Sequence, residues 1–178
     1  EICNMMERKR LVDELIGLYQ NGHFNEAKRK AVLVAIVYPN YDWIYNFLAV
    51  CFAHLGEEEK CIVVSKQTIA INPRYAEAFY NLGGALKDTS QFEKSIPFFR
   101  RALILTIRTP EIYNNLGLSY KNLGRLSDSL SAYNRALILD NNFADVYFNR
   151  ASVHLTTGNY KKGFEDYEWR WKSSFFKK

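Results

Sequence analysis

Histidine, cysteine and clustered carboxylate are the groups in this chain that could do metal or covalent chemistry, and each is sparse. His23, His54 and His154 would suit a divalent metal or a general base if folding gathered them. Cys3, Cys51 and Cys61 are an odd number of thiols without CxxC spacing, which suits buried or idle residues in a reducing compartment. Glu57-Glu58-Glu59 offers a carboxylate cluster. No P-loop, GxGxxG, GxSxG or HExxH string occurs, and the pair Gly83-Gly84 stands in a stretch of helical periodicity, not in a phosphate-cradling loop.

Whether such groups meet depends on the elements that carry them, and a 34-residue period sets those elements. Segments beginning at Arg8, Asp42, Ala76, Pro110 and Ala144 repeat the same residue kinds in the same columns without insertion. Column four is large (Leu11, Tyr45, Phe79, Tyr113, Tyr147), whereas column eight (Leu15, Ala49, Gly83, Gly117, Ala151) is small in four of five copies. Column twenty is small throughout (Ala27, Cys61, Ser95, Ser129, Gly163), as expected where two helices approach closely. Column fifteen is Gly22, Gly56, Ser90, Gly124 and Gly158, a run that predicts a left-handed residue ending a first helix. Pro39 and Pro73 close the first two copies, and Ile107 and Asn141 stand in that place in the next two. Columns 4, 7, 8 and 11 follow helical spacing, so each copy reads as helix, turn, helix with one packing face. A lone hairpin cannot bury that face, so stability must come from stacking.

The segments Ala76-Glu77-Ala78-Phe79-Tyr80-Asn81-Leu82-Gly83 and Ile112-Tyr113-Asn114-Asn115-Leu116-Gly117, with Ala102 and Ala136 at column 27, resemble the tetratricopeptide-repeat (TPR) consensus. The resemblance covers residues 8 to about 171 and implies an all-α, right-handed solenoid of five helix-turn-helix repeats. These are 8–41, 42–75, 76–109, 110–143 and 144–171, with an N-terminal extension 1–7 and a C-terminal tail 172–178. The end copies depart from the pattern: Glu14 and Arg150 replace the column-seven leucine, and Arg170 replaces the column-27 alanine.

In that family the first helices line a concave groove, with roughly columns 2, 5, 6, 9, 12 and 13 turned inward. Column six then offers Asn81, Asn115 and Asn149 in successive copies, a ladder similar to that of O-linked N-acetylglucosamine transferases. An asparagine amide both donates and accepts, so it can hold an extended backbone without reading side chains. Packed helices ~8–10 Å apart would meet a strand advancing ~3.3 Å per residue at about every third residue. Tyr80, Asn114 and Phe148 in column five, with Lys87, Asp88, Lys121 and Asn122 in columns twelve and thirteen, would add selectivity. The same asparagines also have a second reading, as bonds between neighbouring helices. The Lys, Arg and Asn pattern by which some family members hold a C-terminal carboxylate is not matched.

The net charge of +5 raises the question of nucleic acid. On the groove columns, however, Lys9, Lys87 and Lys121 are outnumbered by Asp13, Glu77, Asp88, Glu111 and Asp145, which disfavours phosphate. The clusters Lys28-Arg29-Lys30, Arg100-Arg101 and Lys161-Lys162 fall in second helices, on the outer face. The histidines occupy columns 16, 13 and 11 of three different copies, and His154 takes a packing column; Glu57-Glu58-Glu59 opens a second helix, where acids complement the dipole. We therefore expect a cytoplasmic, non-enzymatic protein without cofactor or metal. The longest apolar run, Ala31 to Val37, is far shorter than the ~20 residues of a membrane span.

The end of the chain is rich in aromatics: Trp169 and Trp171, then Phe175 and Phe176. A terminal cap is ordinarily polar, so this stretch points to domain docking or self-association, which would make the chain a homo-oligomer. The sequence Tyr167-Glu168-Trp169-Arg170-Trp171 resembles the last repeat of bacterial arrays that precede glycosyltransferase-type domains. The expected function is a protein-interaction scaffold holding a peptide or partner protein. The alternatives are the recognition arm of a larger glycosyltransferase-like protein and a self-associating module.

Overall fold

The computed structural model describes residues 2–105 and 109–174, with side chains from Met6 onward. Phe175 and Phe176, the side chain of Cys3 and the closing position Ile107 lie outside the described residues. Among the described residues ten α-helices follow one another: α1 (Ile2–Gln20), α2 (Phe24–Val37), α3 (Asp42–His54), α4 (Glu58–Ile71), α5 (Ala76–Asp88), α6 (Phe92–Leu105), α7 (Pro110–Asn122), α8 (Leu126–Leu139), α9 (Ala144–Thr156) and α10 (Tyr160–Tyr167). A short 3-10 segment, Glu168–Lys172, succeeds α10. α1 already begins at Ile2, so residues 2–7 continue the first helix and form no separate extension.

The period builds every hairpin with the same turn. The backbone N–H groups of His23, Glu57, Gln91, Arg125 and Asn159 donate to the carbonyls of Leu18, Phe52, Leu86, Tyr120 and His154 at 2.7–2.9 Å. Each bond spans six residues and satisfies a carbonyl orphaned at a helix C-terminus. The chain can make it because column fifteen turns left-handed, with φ between 68° and 78° at the four glycines and 59° at Ser90.

Two compact units divide the chain within α5, residues 1–85 and residues 86–178. In the first, Leu15, Ala27, Ala31, Ile44, Leu48 and Leu82 are buried where α1 to α5 pack as hairpins. In the second, Phe99, Tyr133, Ala136, Val146 and Val153 form the core. The small columns are packing constraints, as the sequence indicates. A Cβ on Gly117 would stand 2.5 Å from the ring of Tyr133, and one on Gly163 would stand 2.6 Å from the side chain of Leu155. Ser129 fills column twenty in α8 and donates its hydroxyl to the carbonyl of Gly117 at 2.8 Å, so even the polar small residue is satisfied at the crossing.

Pro97 lies inside α6, which runs unbroken through it, with the proline exposed. Its missing N–H therefore faces the solvent side, where water can reach the carbonyl one turn back.

The charged departures at column seven of the end copies have a common cause. Glu14 on α1 pairs with Lys30 on α2, and Arg150 on α9 pairs with Asp166 on α10. Both pairs join columns seven and 23, with the sign of the charges exchanged. An end copy thus replaces the column-seven leucine contact with an ion pair across its hairpin.

Candidate functional site

The columns expected to line a groove supply the candidate residues, and each unit presents its own set. In the first unit, Asn81 donates from Nδ2 to Asn46 Oδ1 at 2.9 Å, tying α5 to α3. In the second, Asn149 donates from Nδ2 to Asn114 Oδ1 at 3.0 Å, tying α9 to α7. The same bond therefore recurs between column six of one copy and column five of the copy before it. Asn149 is only 5 % exposed, and its amide would be costly to leave unpaired. Asn115 and Tyr80 are both half-buried. Asparagine at column six thus acts as a bracket between helices in both units, using one donor of each amide.

Lys87 pairs with Asp88 at 2.8 Å, and Asn122 donates to the carbonyl of Leu118 in its own helix at 2.9 Å. Lys121 is half-buried and reaches Ser152 Oγ at 3.3 Å, and burial lowers the pKa of its ammonium. Phe148 lies 6.0 Å from the ring of Tyr167. The ammonium groups of the groove are thus committed or shielded, with Lys9 left exposed beside Asp13 on α1.

Sequence reasoning read column six and passed over an aromatic set on the same face of the first unit. Trp43 stacks on Phe47 with ring centroids 5.1 Å apart, and Tyr19 meets Phe47 edge-on at 6.0 Å. The signal was available in columns 2 and 12, where Trp43 stands in place of the acidic residues of later copies and Tyr19 in the place of Lys87 and Lys121.

On the second helices the cluster Lys28-Arg29-Lys30 is partly neutralised. Lys28 pairs with Glu57 at 2.5 Å, Lys60 also pairs with Glu57, and Lys30 pairs with Glu14. The hydrogen bonds from Lys28 and Lys60 hold the Glu57 carboxyl below its ordinary pKa. Glu57 stands at the N-cap of α4 without a side-chain cap bond, so it acts as an ion-pair partner while Glu58 and Glu59 occupy the first turn. Cys51 and Cys61 are buried thiols, and burial pushes Cys51 up to about 11, far from a reactive thiolate. Among the described residues no three His, Cys, Asp or Glu side chains gather as a metal site would need. No helix among them is long and apolar enough to cross a membrane.

The C-terminal aromatics divide into two roles. Trp169 stacks on Tyr147 at 4.2 Å and 10°, with the Lys172 ammonium 4.5 Å from its ring. Trp171 is 66 % exposed, with the Arg170 guanidinium 4.4 Å from its ring. The chain beyond folds back on α9, where the Asp145 carboxylate accepts hydrogen bonds from Ser173 Oγ at 2.5 Å and from Ser174 N–H and Oγ at 2.7 and 2.6 Å. Trp169 therefore packs on its own last hairpin.

An all-α chain of repeated hairpins with bracketed first helices is the architecture of a repeat scaffold. Models of the tetratricopeptide repeat match residues 76–105, 110–143 and 144–168, together half of the chain, and the protein belongs to the tetratricopeptide-repeat family. No curated protein matches its sequence. Solved structures share its solenoid fold. MamA of Desulfovibrio magneticus superposes with a TM-score of 0.82 at 19% identity, over 90% of each chain. A Pseudomonas aeruginosa PilF structure gives 0.82 at 20% identity over 94% of this chain and 76% of that one. A thermophilic TPR protein of Thermus thermophilus gives 0.72 at 18% identity, over 93% and 91%.

Proposed function

We propose that this protein is an interaction scaffold whose first-helix face holds an extended segment of a partner polypeptide. The observation that carries this reading is the repeated amide pair. Asn46 with Asn81, and Asn114 with Asn149, share one internal bond each. An amide pair has four N–H donors and two carbonyl oxygens, so the bond within each pair and that of Asn46 with the Tyr75 side chain leave some capacity for a ligand backbone on the half-buried Asn46, Asn81 and Asn114. The internal bond also fixes the rotamers, which reduces the ordering cost of binding. Tyr80 adds to the proposed face of the first unit, and Asn115, Phe148, Lys87, Asp88, Lys121 and Asn122 add to that of the second. An acidic balance on these columns favours peptides over nucleic acid.

The test is selection of random extended peptides on the full chain, followed by affinity measurement. Replacing Asn81, Asn115 and Asn149 together by alanine abolishes capture while far-UV circular dichroism keeps its helical signature. Unchanged capture by the triple variant sinks the reading.

A second reading, self-association through the C-terminal end, is favoured by one observation. Tyr160, Phe164, Tyr167 and Trp171 recur at helical spacing and are 62 %, 60 %, 37 % and 66 % exposed. Light scattering would then give a mass that rises with concentration and falls back for Trp171→Ala. A monomeric mass at every concentration removes this reading.

A further inference from the structure

The groove face of the first unit carries a recess that the amide pairs leave unused. It lies between α1 and α3 and holds about 350 Å³, walled by Ile16, Tyr19, Trp43, Phe47 and Val50. Phe47, 8 % exposed, forms its floor, while Ile16 at 37 % forms an open lip. The walls come from columns 9 and 12 of the first copy and columns 2, 6 and 9 of the second, all on the first-helix face described above. The remaining lining groups are the amides of Gln20 and Asn46. Asn46 accepts the bond from Asn81, so the recess adjoins the first amide pair directly.

We infer that this recess is an anchor pocket for one large uncharged apolar side chain, aliphatic or aromatic, carried by the segment that the groove holds. The inference rests on the groove reading and adds a selectivity to it. No charged residue lines the recess, so an inserted ammonium or carboxylate would lose its water without gaining a counter-ion. Asp13 and Lys9, one and two turns before Ile16 on α1, are exposed and of opposite sign, so they lend no net preference for a charge. The volume lies at the small end of ligand sites, fit for a side chain and too narrow for a helix or a second domain. The two stacked rings are held by packing before any ligand arrives, which limits the ordering cost. The amides at the rim stand where the main chain on either side of an anchor residue needs partners.

The experiment is a titration of the full chain with N-acetyl-phenylalaninamide, N-acetyl-leucinamide, N-acetyl-glutaminamide and N-acetyl-lysinamide, followed by the indole N–H resonance of Trp43. Trp43→Phe assigns that resonance among the three tryptophans. The apolar amides shift it saturably, at least about tenfold more tightly than the glutamine and lysine amides, a ratio within the range a hydrophobic pocket delivers. Ile16→Gln, at the open lip, weakens the apolar amides about tenfold with helicity unchanged, and Trp169→Phe leaves the titration as it was. Equal shifts for all four probes, no saturation, or indifference to Ile16→Gln overturns the proposal. A Trp43 shift that follows protein concentration without any probe also overturns it, since a second copy then fills the recess. The groove reading is judged separately: if peptides are captured through the asparagines while no amide touches Trp43, the pocket fails and the groove stands. If the asparagine triple variant captures as before, the groove reading fails whatever Trp43 reports.

Discussion

Arg150 grips Asp166 through two parallel bonds, Nε to Oδ2 at 2.7 Å and an Nη to Oδ1 at 2.8 Å, and joins α9 to α10. Asp166 is almost wholly buried, whereas the guanidinium keeps partial access to solvent and a further bond to Asn134 at 2.7 Å. Removing the acid alone leaves a part-buried guanidinium without its counter-ion, which costs about 1–3 kcal/mol. Asp166→Ala should lower stability by that amount in urea unfolding, and Arg150→Leu added to Asp166→Leu should recover most of it. A cost below about 1 kcal/mol for the single variant would mark the pair as an exposed bridge.

His154 is buried beside this pair, with Nε2 4.0 Å from Asp166 Oδ2. Burial lowers its pKa below the ordinary 6.5, an effect only partly offset by the nearby Asp166 and reinforced by Arg150 and Lys162. The folded chain then binds this proton less readily than the unfolded chain. Stability is full above 6.5 and declines as pH falls from there through the folded value. Thermal unfolding between pH 7.5 and 5 should record that decline, and His154→Leu should flatten it. An unchanged slope in His154→Leu assigns the titration elsewhere.

Gly117 crosses Tyr133 with no room for a methyl group. Gly117→Ala should cost about 1–3 kcal/mol by overpacking, despite the better helix propensity of alanine. Gly84, whose Cβ would meet nothing within 4 Å, is the control, and Gly84→Ala should be neutral or stabilising. Equal effects at the two sites would exclude the steric account.

Asn114→Ala removes the acceptor from Asn149 and leaves a buried amide donor unmatched, at about 1–3 kcal/mol. Asn149→Ala removes donor and burial together and should cost less. The opposite order, read from chemical denaturation, would show that Asn149 relaxes to another partner.

Much of this architecture was legible in the sequence. The left-handed residue at column fifteen announced all five turns, including the one at Ser90, and small column twenty announced the helix crossings. The column-seven exceptions were visible as departures, but Glu14 and Arg150 gained their reason only when Lys30 and Asp166 were seen across the hairpin. Asn46 went unread because its partner Asn81 stands one repeat and one residue away, a relation set by how first helices pack and not by local spacing. Trp169 suggested an outside partner, since sequence alone could not show that the chain curls back to lay it on Tyr147. Of the candidate site, the column-six asparagines were named from the sequence, whereas the ring cluster was overlooked because it departs from the column pattern that made the later copies easy to read.

The amide brackets link residues 35 apart, and the hairpin turns close still shorter loops. A chain tied by such local links has low contact order and closes each loop at small entropic cost. During synthesis each hairpin can therefore settle once the first helix of the next copy emerges to stack on it, so that the order of translation and the order of assembly coincide.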